Sequence, residues 1–147
     1  NLDNYDLRAK IMYAATTALN ELTVYGRVSG DWAVHSIGHN LSILFDMPHG
    51  ASLSIAYPAW LKLHRERAAS RIMELGKNIF NDETVDGTIN KLENFFFSIG
   101  CPIRLPDAGI EQDQYQGIVE LMTVHDLSGN HYKLSKADVV DIVKFMW

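Results

Sequence analysis

Residues 31–50 read Asp31-Trp32-Ala33-Val34-His35-Ser36-Ile37-Gly38-His39-Asn40-Leu41-Ser42-Ile43-Leu44-Phe45-Asp46-Met47-Pro48-His49-Gly50. Ile37, Leu41 and Leu44 recur at helical steps and, with Trp32, give an apolar face to a helix starting at Asp31. Met47-Pro48-His49-Gly50 ends that helix and turns the chain. His35 and His39 are one helical turn apart and project from one face. His49 follows the turn and can fold back toward them. Converging imidazoles suit Fe²⁺ or Zn²⁺, but the same spacing fits a polar helix edge or a hydrogen-bonded core pair, so it leaves both readings open. Asp31 lies on the same stripe, yet as the N-cap of a helix following Gly30 it needs no metal, and that is the preferred reading. A metalloprotease H-E-x-x-H would require glutamate where Ser36 stands, which excludes it. Gly38 costs ~1 kcal/mol in a helix interior and leaves room for a second helix or a ligand.

The helical period extends outward in both directions. Tyr5 to Leu22 carries Leu7, Ile11, Ala14, Ala15, Ala18, Leu19 and Leu22 at amphipathic spacing, with Gly26, Ser29 and Gly30 as breakers. A third helix runs from Gly50 through Leu53, Ile55, Ala56, Trp60 and Leu61, and Pro58 must kink it or lie near an end. Arg65–Phe80 makes a fourth. Asp82–Ile99 makes a fifth, closed by Gly100 at C′ and Pro102 beyond. Ile110–Val124 and Lys136–Trp147 complete the set, the last with Ser135 as N-cap and Asp138 in a capping-box position. No segment alternates with period two. The expectation is an all-α bundle of about seven helices in one domain, residues 1–147.

Composition narrows the function. The 147 residues are 47% hydrophobic and 21% charged, as in an ordinary globular domain. The net charge of −5, without a basic cluster, argues against nucleic acid and an anionic membrane face as partners. Apolar runs such as Phe95-Phe96-Phe97 fall far short of the ~20 residues that span a bilayer. One cysteine, Cys101, forms no internal disulfide and fits a reducing, cytoplasmic setting. The opening Asn1-Leu2-Asp3-Asn4 is neither a signal peptide nor an initiator methionine, so the chain reads as a piece of a longer protein. His64 is expected at a solvated helix end, and His125 and His131 beside a surface loop. Cys101 reads as a packed residue, Asp82, Glu83, Asp86 and Glu93 as polar helix faces, and Phe95, Phe96, Phe97 and Ile99 as core. No glycine-rich dinucleotide loop is present.

Asp31–His39 followed by Asp46-Met47-Pro48-His49-Gly50 resembles the second signature of the iron-containing (group III) alcohol dehydrogenases. Asn4-Tyr5-Asp6-Leu7-Arg8-Ala9, Leu53–Trp60, and Asn94-Phe95-Phe96 before Gly100 are similar to the NAD(P)H-dependent butanol dehydrogenase and aldehyde reductase branch. The resemblance spans essentially the whole chain. It implies the C-terminal helical, metal-binding domain of such an enzyme, whose N-terminal α/β domain binds NAD(P). It further implies His35 and His49 as ligands of Fe²⁺ or Zn²⁺, and His39 near the nicotinamide and substrate, assisting proton transfer. An Asp and a His from an upstream D-x-x-x-H helix would complete the metal site, and no such motif precedes His35 here. A small alcohol or aldehyde as substrate, hydride exchange with NAD(P)(H), a homodimer when full length, and a fragment inactive by itself are the corresponding expectations. Trp32 and Phe45 are candidates for a substrate pocket or for core. Asn40 stands where that branch often has Glu, and Pro48-His49-Gly50 follows the broader family, which blurs substrate and cofactor choice. The rival reading is a stand-alone helical metal-binding or interaction domain.

Overall fold

A computed structural model describes residues 3–26 and 28–147; Asn1 and Leu2, read above as part of the opening without a leader, lie outside them. Among the described residues the chain is all helical, without strands: α1 (Tyr5–Leu19), α2 (Ala33–Phe45), α3 (His49–Leu63), α4 (Ala69–Leu75), α5 (Val85–Ser98), α6 (Tyr115–Val124) and α7 (Lys136–Phe145), with short 3₁₀ turns and a π segment between them. The expected all-α architecture of seven helices is what forms. The chain divides into two compact units, Asn1–Gly30 and Asp31–Trp147.

In the first unit, Asn4 caps α1 by accepting the Leu7 N–H at 3.0 Å. The helix stops at Leu19, short of Leu22, and a 3₁₀ turn takes over at Leu22–Val24. No described residue of α1 is buried.

In the second unit, α3 is the central element, packed on α2, α5 and α7. Ile37, Leu41, Ile55, Ile118, Met122, Ile142 and Val143 are completely buried around it. Each such side chain stabilises the fold by about 1.5–3 kcal/mol. Gly38 permits the α2–α3 contact: a Cβ there would lie 2.9 Å from Ser52 Oγ and 3.0 Å from a Leu53 methyl. Pro58 neither ends α3 nor sits near its end; the helix continues through it to Leu63. Pro58 is buried, and core packing outweighs the roughly 3 kcal/mol cost of the lost hydrogen bond.

Three boundaries depart from the periodic reading. The fourth helix starts only at Ala69, because the chain turns over Arg65–Ala68, and its end, Gly76–Phe80, widens into a π segment. Gly76 is required there, since a Cβ would collide with Thr88 Oγ1 of α5. The fifth helix starts at Val85, with Thr84 as N-cap. Residues Gln112–Gln114 form a 3₁₀ turn before α6 starts at Tyr115. The capping box at Ser135 and Asp138 forms as expected, and Gly100 takes a φ of +79° after α5.

Two burial expectations are corrected. Phe95, Phe97 and Ile99 are exposed, and only Phe96 of the triplet packs on the core. Consecutive helical residues point about 100° apart, so one face cannot bury all three. Glu93 is buried instead of lining a polar face. Its carboxylate meets Lys62 Nζ at 2.6 Å and the Arg104 guanidinium at 2.8 and 3.1 Å. Burial pushes this carboxyl up, but the Arg104 and Lys62 hydrogen bonds and charges together hold it below its ordinary value.

Candidate metal centre

The connection Asp46–Pro48 brings His49, the first residue of α3, back to the level of His35 and His39 on α2. Asp46 makes this reversal with a φ of +49°, a conformation Asp tolerates better than most residues. Pro48 then precedes the helix with a φ of −53°. His35 Nδ1 and His49 Nε2 are 3.1 Å apart. One nitrogen from each of His35, His39 and His49 fits within a set no wider than 4.8 Å. The His39 and His49 rings stack at 4.8 Å.

Without a cation, the 3.1 Å contact is a hydrogen bond between the two rings. It also falls within the separations expected of two nitrogens on one ion: bonds of about 2.0–2.1 Å place neighbouring ligands roughly 2.8–3.0 Å apart in octahedral array and roughly 3.3–3.4 Å apart in tetrahedral array. The His35–His49 pair therefore fits a first-row divalent metal. His35 is half-buried, whereas His39 and His49 are exposed. Burial first, and the charges of His49 and His39 next, hold the His35 pKa below its ordinary value, which keeps the ring neutral as a metal ligand must be.

Asp31 neither caps α2 nor joins the imidazoles; the N-cap position is Trp32. The Asp31 carboxylate accepts backbone N–H bonds from His131 at 2.9 Å, Tyr132 at 3.0 Å and Ala33 at 3.3 Å. Its own carbonyl accepts the Asn130 N–H at 2.8 Å. It clasps the 129–132 loop to the start of α2, so tightly that a Cβ on Gly129 would collide with the carboxylate. The clasp frames Trp32, whose φ of +69° is an outlier for a bulky aromatic residue. The Trp32 ring lies 5.1 Å from that of His35.

Asn40, next to His39, is buried; it donates to the Ser36 carbonyl at 2.8 Å, and its Oδ1 lies 2.8 Å from His125 Nδ1. A glutamate there would meet a different hydrogen-bonding demand. His125 and His131 are exposed beside their loop, as expected. His64 is not at a solvated end. It is fully buried against Trp60 and Tyr132, with ring centroids 4.5 and 4.6 Å away. Among the described residues, neither His64 nitrogen nor Trp60 Nε1 has a hydrogen-bond partner.

Beside His35 a cleft of about 590 Å³ opens, walled by Trp32, Leu53, Tyr57, Trp60, Phe96 and Cys101. Trp32 thus lines a pocket, whereas Phe45 packs against the core. The periodicity could not disclose this cleft, because its walls come from segments up to 69 residues apart in the chain (from Trp32 to Cys101).

The sequence description "Fe-containing alcohol dehydrogenase family, C-terminal" matches residues 1–147. The chain is 34% identical over 152 residues to a probable NADH-dependent butanol dehydrogenase 1 of Bacillus subtilis, covering 98% of this chain and 39% of that protein. It is 32% identical over 132 residues to the NADPH-dependent aldehyde reductase YqhD of Escherichia coli, covering 86% and 34%. The crystal structure of NADH-dependent butanol dehydrogenase A from Thermotoga maritima superposes with a TM-score of 0.89 at 33% identity, over 98% of this chain and 40% of that one. The chain thus spans about two fifths of the length of the relatives it matches.

Proposed function

Because the chain belongs to the Fe-containing alcohol dehydrogenase family and forms its C-terminal domain, we propose that it supplies part of the metal centre of an NAD(P)-dependent alcohol dehydrogenase or aldehyde reductase. The whole protein interconverts a small alcohol and its aldehyde. His35 and His49 are the metal ligands from this domain. The observation that carries the assignment is their 3.1 Å nitrogen separation, with His39 in the same cluster. A bound Fe²⁺ or Zn²⁺ would act as a Lewis acid toward the alcohol or aldehyde oxygen, and the nicotinamide would carry the hydride.

The chain's own residues orient and protonate. Trp32 and the Asp31 clasp set the His35 ring, and the Asp46–Pro48 reversal sets His49. His39 is exposed and stacked on His49, so it can exchange a proton with solvent while facing the cluster. Imidazole is the side chain most often used for proton transfer in enzymes. The dinucleotide, the remaining ligands and the homodimer contacts are assigned to the N-terminal domain of the complete protein, and the isolated chain is proposed to be inactive. Cytoplasmic residence accords with the lone cysteine; among the described residues no helix is long and apolar enough to cross a membrane.

The test is calorimetric titration of Zn²⁺, and of Fe²⁺ without oxygen, into this chain, the complete protein and their His35→Ala/His49→Ala variants. The complete protein binds tightly and the double variant does not, while the isolated chain binds more weakly than micromolar. Tight binding by the isolated chain, lost also in His39→Ala, would make His39 a ligand and refute its relay role.

A further inference from the structure

On the side away from α3, α2 is tied by a hydrogen-bonded pair that the metal reading leaves unused. Residues two apart on a helix point about 200° from each other. Gly38 accordingly abuts Ser52 and Leu53 of α3, while Asn40 faces the end of α6, where its Oδ1 lies 2.8 Å from His125 Nδ1. His39 stands between these two anchors. Its ring is held by ring contacts, with His49 at 4.8 Å and His35 at 6.2 Å. The roll of α2 about its own axis therefore decides where the His39 ring points.

The pair grips the turn that carries both rings. Asn40 is buried, and its Nδ2 donates at 2.8 Å to the carbonyl of Ser36, which lies between His35 and His39 in the chain. With Nδ2 donating to that acceptor, Oδ1 is the atom that faces His125, and Nδ1 of the ring must carry the hydrogen. His125 follows the last residue of α6 with extended backbone, φ −93° and ψ 146°, which takes its side chain off the helix and across to α2. Met122 before it and Leu127 after it are buried, so the backbone behind the ring is anchored on both sides. The ring itself is exposed, and replacing it opens no cavity in the core.

We propose that His125, acting through Asn40, is a positioning residue of the reaction: it fixes the turn of α2 between His35 and His39 and so keeps the His39 imidazole on the cluster. This rests on the assignment of His39 as the proton relay. Without the Nδ1 donor, the buried Asn40 oxygen has to find another partner; the amide turns, and its hold on the Ser36 carbonyl goes with it. Displacing a proton-transferring group by a fraction of its contact distance slows the reaction steeply. Metal affinity is less sensitive, because the ion's own bonds would draw His35 and His49 together.

The test compares His125→Leu, His125→Asn and His39→Ala in the complete protein, by the kinetics of butyraldehyde reduction with NADH and NADPH. Asparagine is the conservative variant, since its Nδ2 occupies the place of His Nδ1 along the side chain. His39→Ala should lower kcat roughly a hundredfold, the ordinary scale of general acid–base catalysis. His125→Leu should lower kcat about tenfold with KM for the aldehyde and metal content unchanged, and His125→Asn should recover most of that loss. In a His39→Ala background, His125→Leu should cost nothing further. A second readout needs no turnover: in NMR spectra of this chain the ring-proton resonances of His39, stacked on His49, should shift in His125→Leu and stay in place in His125→Asn.

An unchanged kcat or an unshifted His39 resonance in His125→Leu would overturn the positioning role. So would an asparagine variant as slow as the leucine one, or a full further loss in the His39→Ala background. If His39→Ala itself leaves kcat unchanged, the relay assignment fails and the positioning role with it. If His39→Ala is slow and His125→Leu is not, the positioning role fails alone.

Discussion

His49 opens α3 and His64 follows its last residue, about 22 Å apart at 1.5 Å per residue. At the first end three rings crowd together, two of them exposed, with nitrogens facing one another. At the second a single ring is fully buried among aromatic residues, and neither nitrogen is paired among the described residues. The difference shows that histidine by itself specifies no role. Rings gathered at an accessible helix start keep their lone pairs available to a cation. A ring enclosed by Trp60 and Tyr132 serves as a flat packing element whose desolvation, about 1–3 kcal/mol per unpaired group, aromatic contacts offset in part.

The comparison can be broken at either end. The largest effect belongs to the first: in the complete protein, His35→Ala/His49→Ala should weaken metal affinity at least about a thousandfold, or about 4 kcal/mol, measured by calorimetry. The thermal stability of this chain should move by only about 1 kcal/mol, since His49 is exposed and His35 half-buried. A comparable loss of metal in His64→Ala would erase the distinction.

At the other end of α3, Lys62 shares the buried Glu93 with Arg104. Glu93→Gln leaves two cations facing a neutral amide and should cost about 3 kcal/mol in urea unfolding. His64→Ala should cost about 2–3 kcal/mol through the cavity it leaves, whereas His64→Phe keeps most of the packing, removes two unpaired nitrogens and should be neutral or stabilising by about 1 kcal/mol.

The smallest effect is pH-dependent. Burial first, and the nearby Arg67 charge next, hold the His64 pKa below 6.5, against the opposing pull of Asp31 and Asp138. Well above pH 6.5 the ring is neutral in both folded and unfolded chains and contributes no pH dependence. As pH falls below 6.5 the unfolded chain takes up a proton first, so stability declines until the folded pKa is passed. Urea midpoints measured in that window should fall for the wild type and decline less for His64→Phe. Identical slopes would show that the ring titrates normally and is not dry.

Much of this was legible in the sequence where the signal was local. Helical period, the Ser135–Asp138 box and the Gly100 stop are written within a few residues and formed in place. The three-histidine pattern was legible because two rings lie one turn apart and a proline turn precedes the third. What escaped was long-range. His64 stands in the charged stretch Lys62–Glu66, which reads as a wet helix end, but the turn over Arg65–Ala68 and the distant Tyr132 enclose it. Asp31 follows a glycine at a helix start and so reads as a cap, yet its carboxylate is taken by N–H groups a hundred residues away. Three consecutive phenylalanines look like core until the helix assigns each to a different side.

The sequence alone therefore determined the helical class, the approximate element boundaries and the one-turn spacing of His35 and His39, because each depends on backbone propensity and spacing within a turn or two. Only the tertiary structure decided which histidine is open and which is dry, what Asp31 holds, and that Trp32, Trp60, Phe96 and Cys101 enclose one apolar space. Those outcomes depend on which distant surfaces exclude water from each other, and burial of that kind leaves no local period to read.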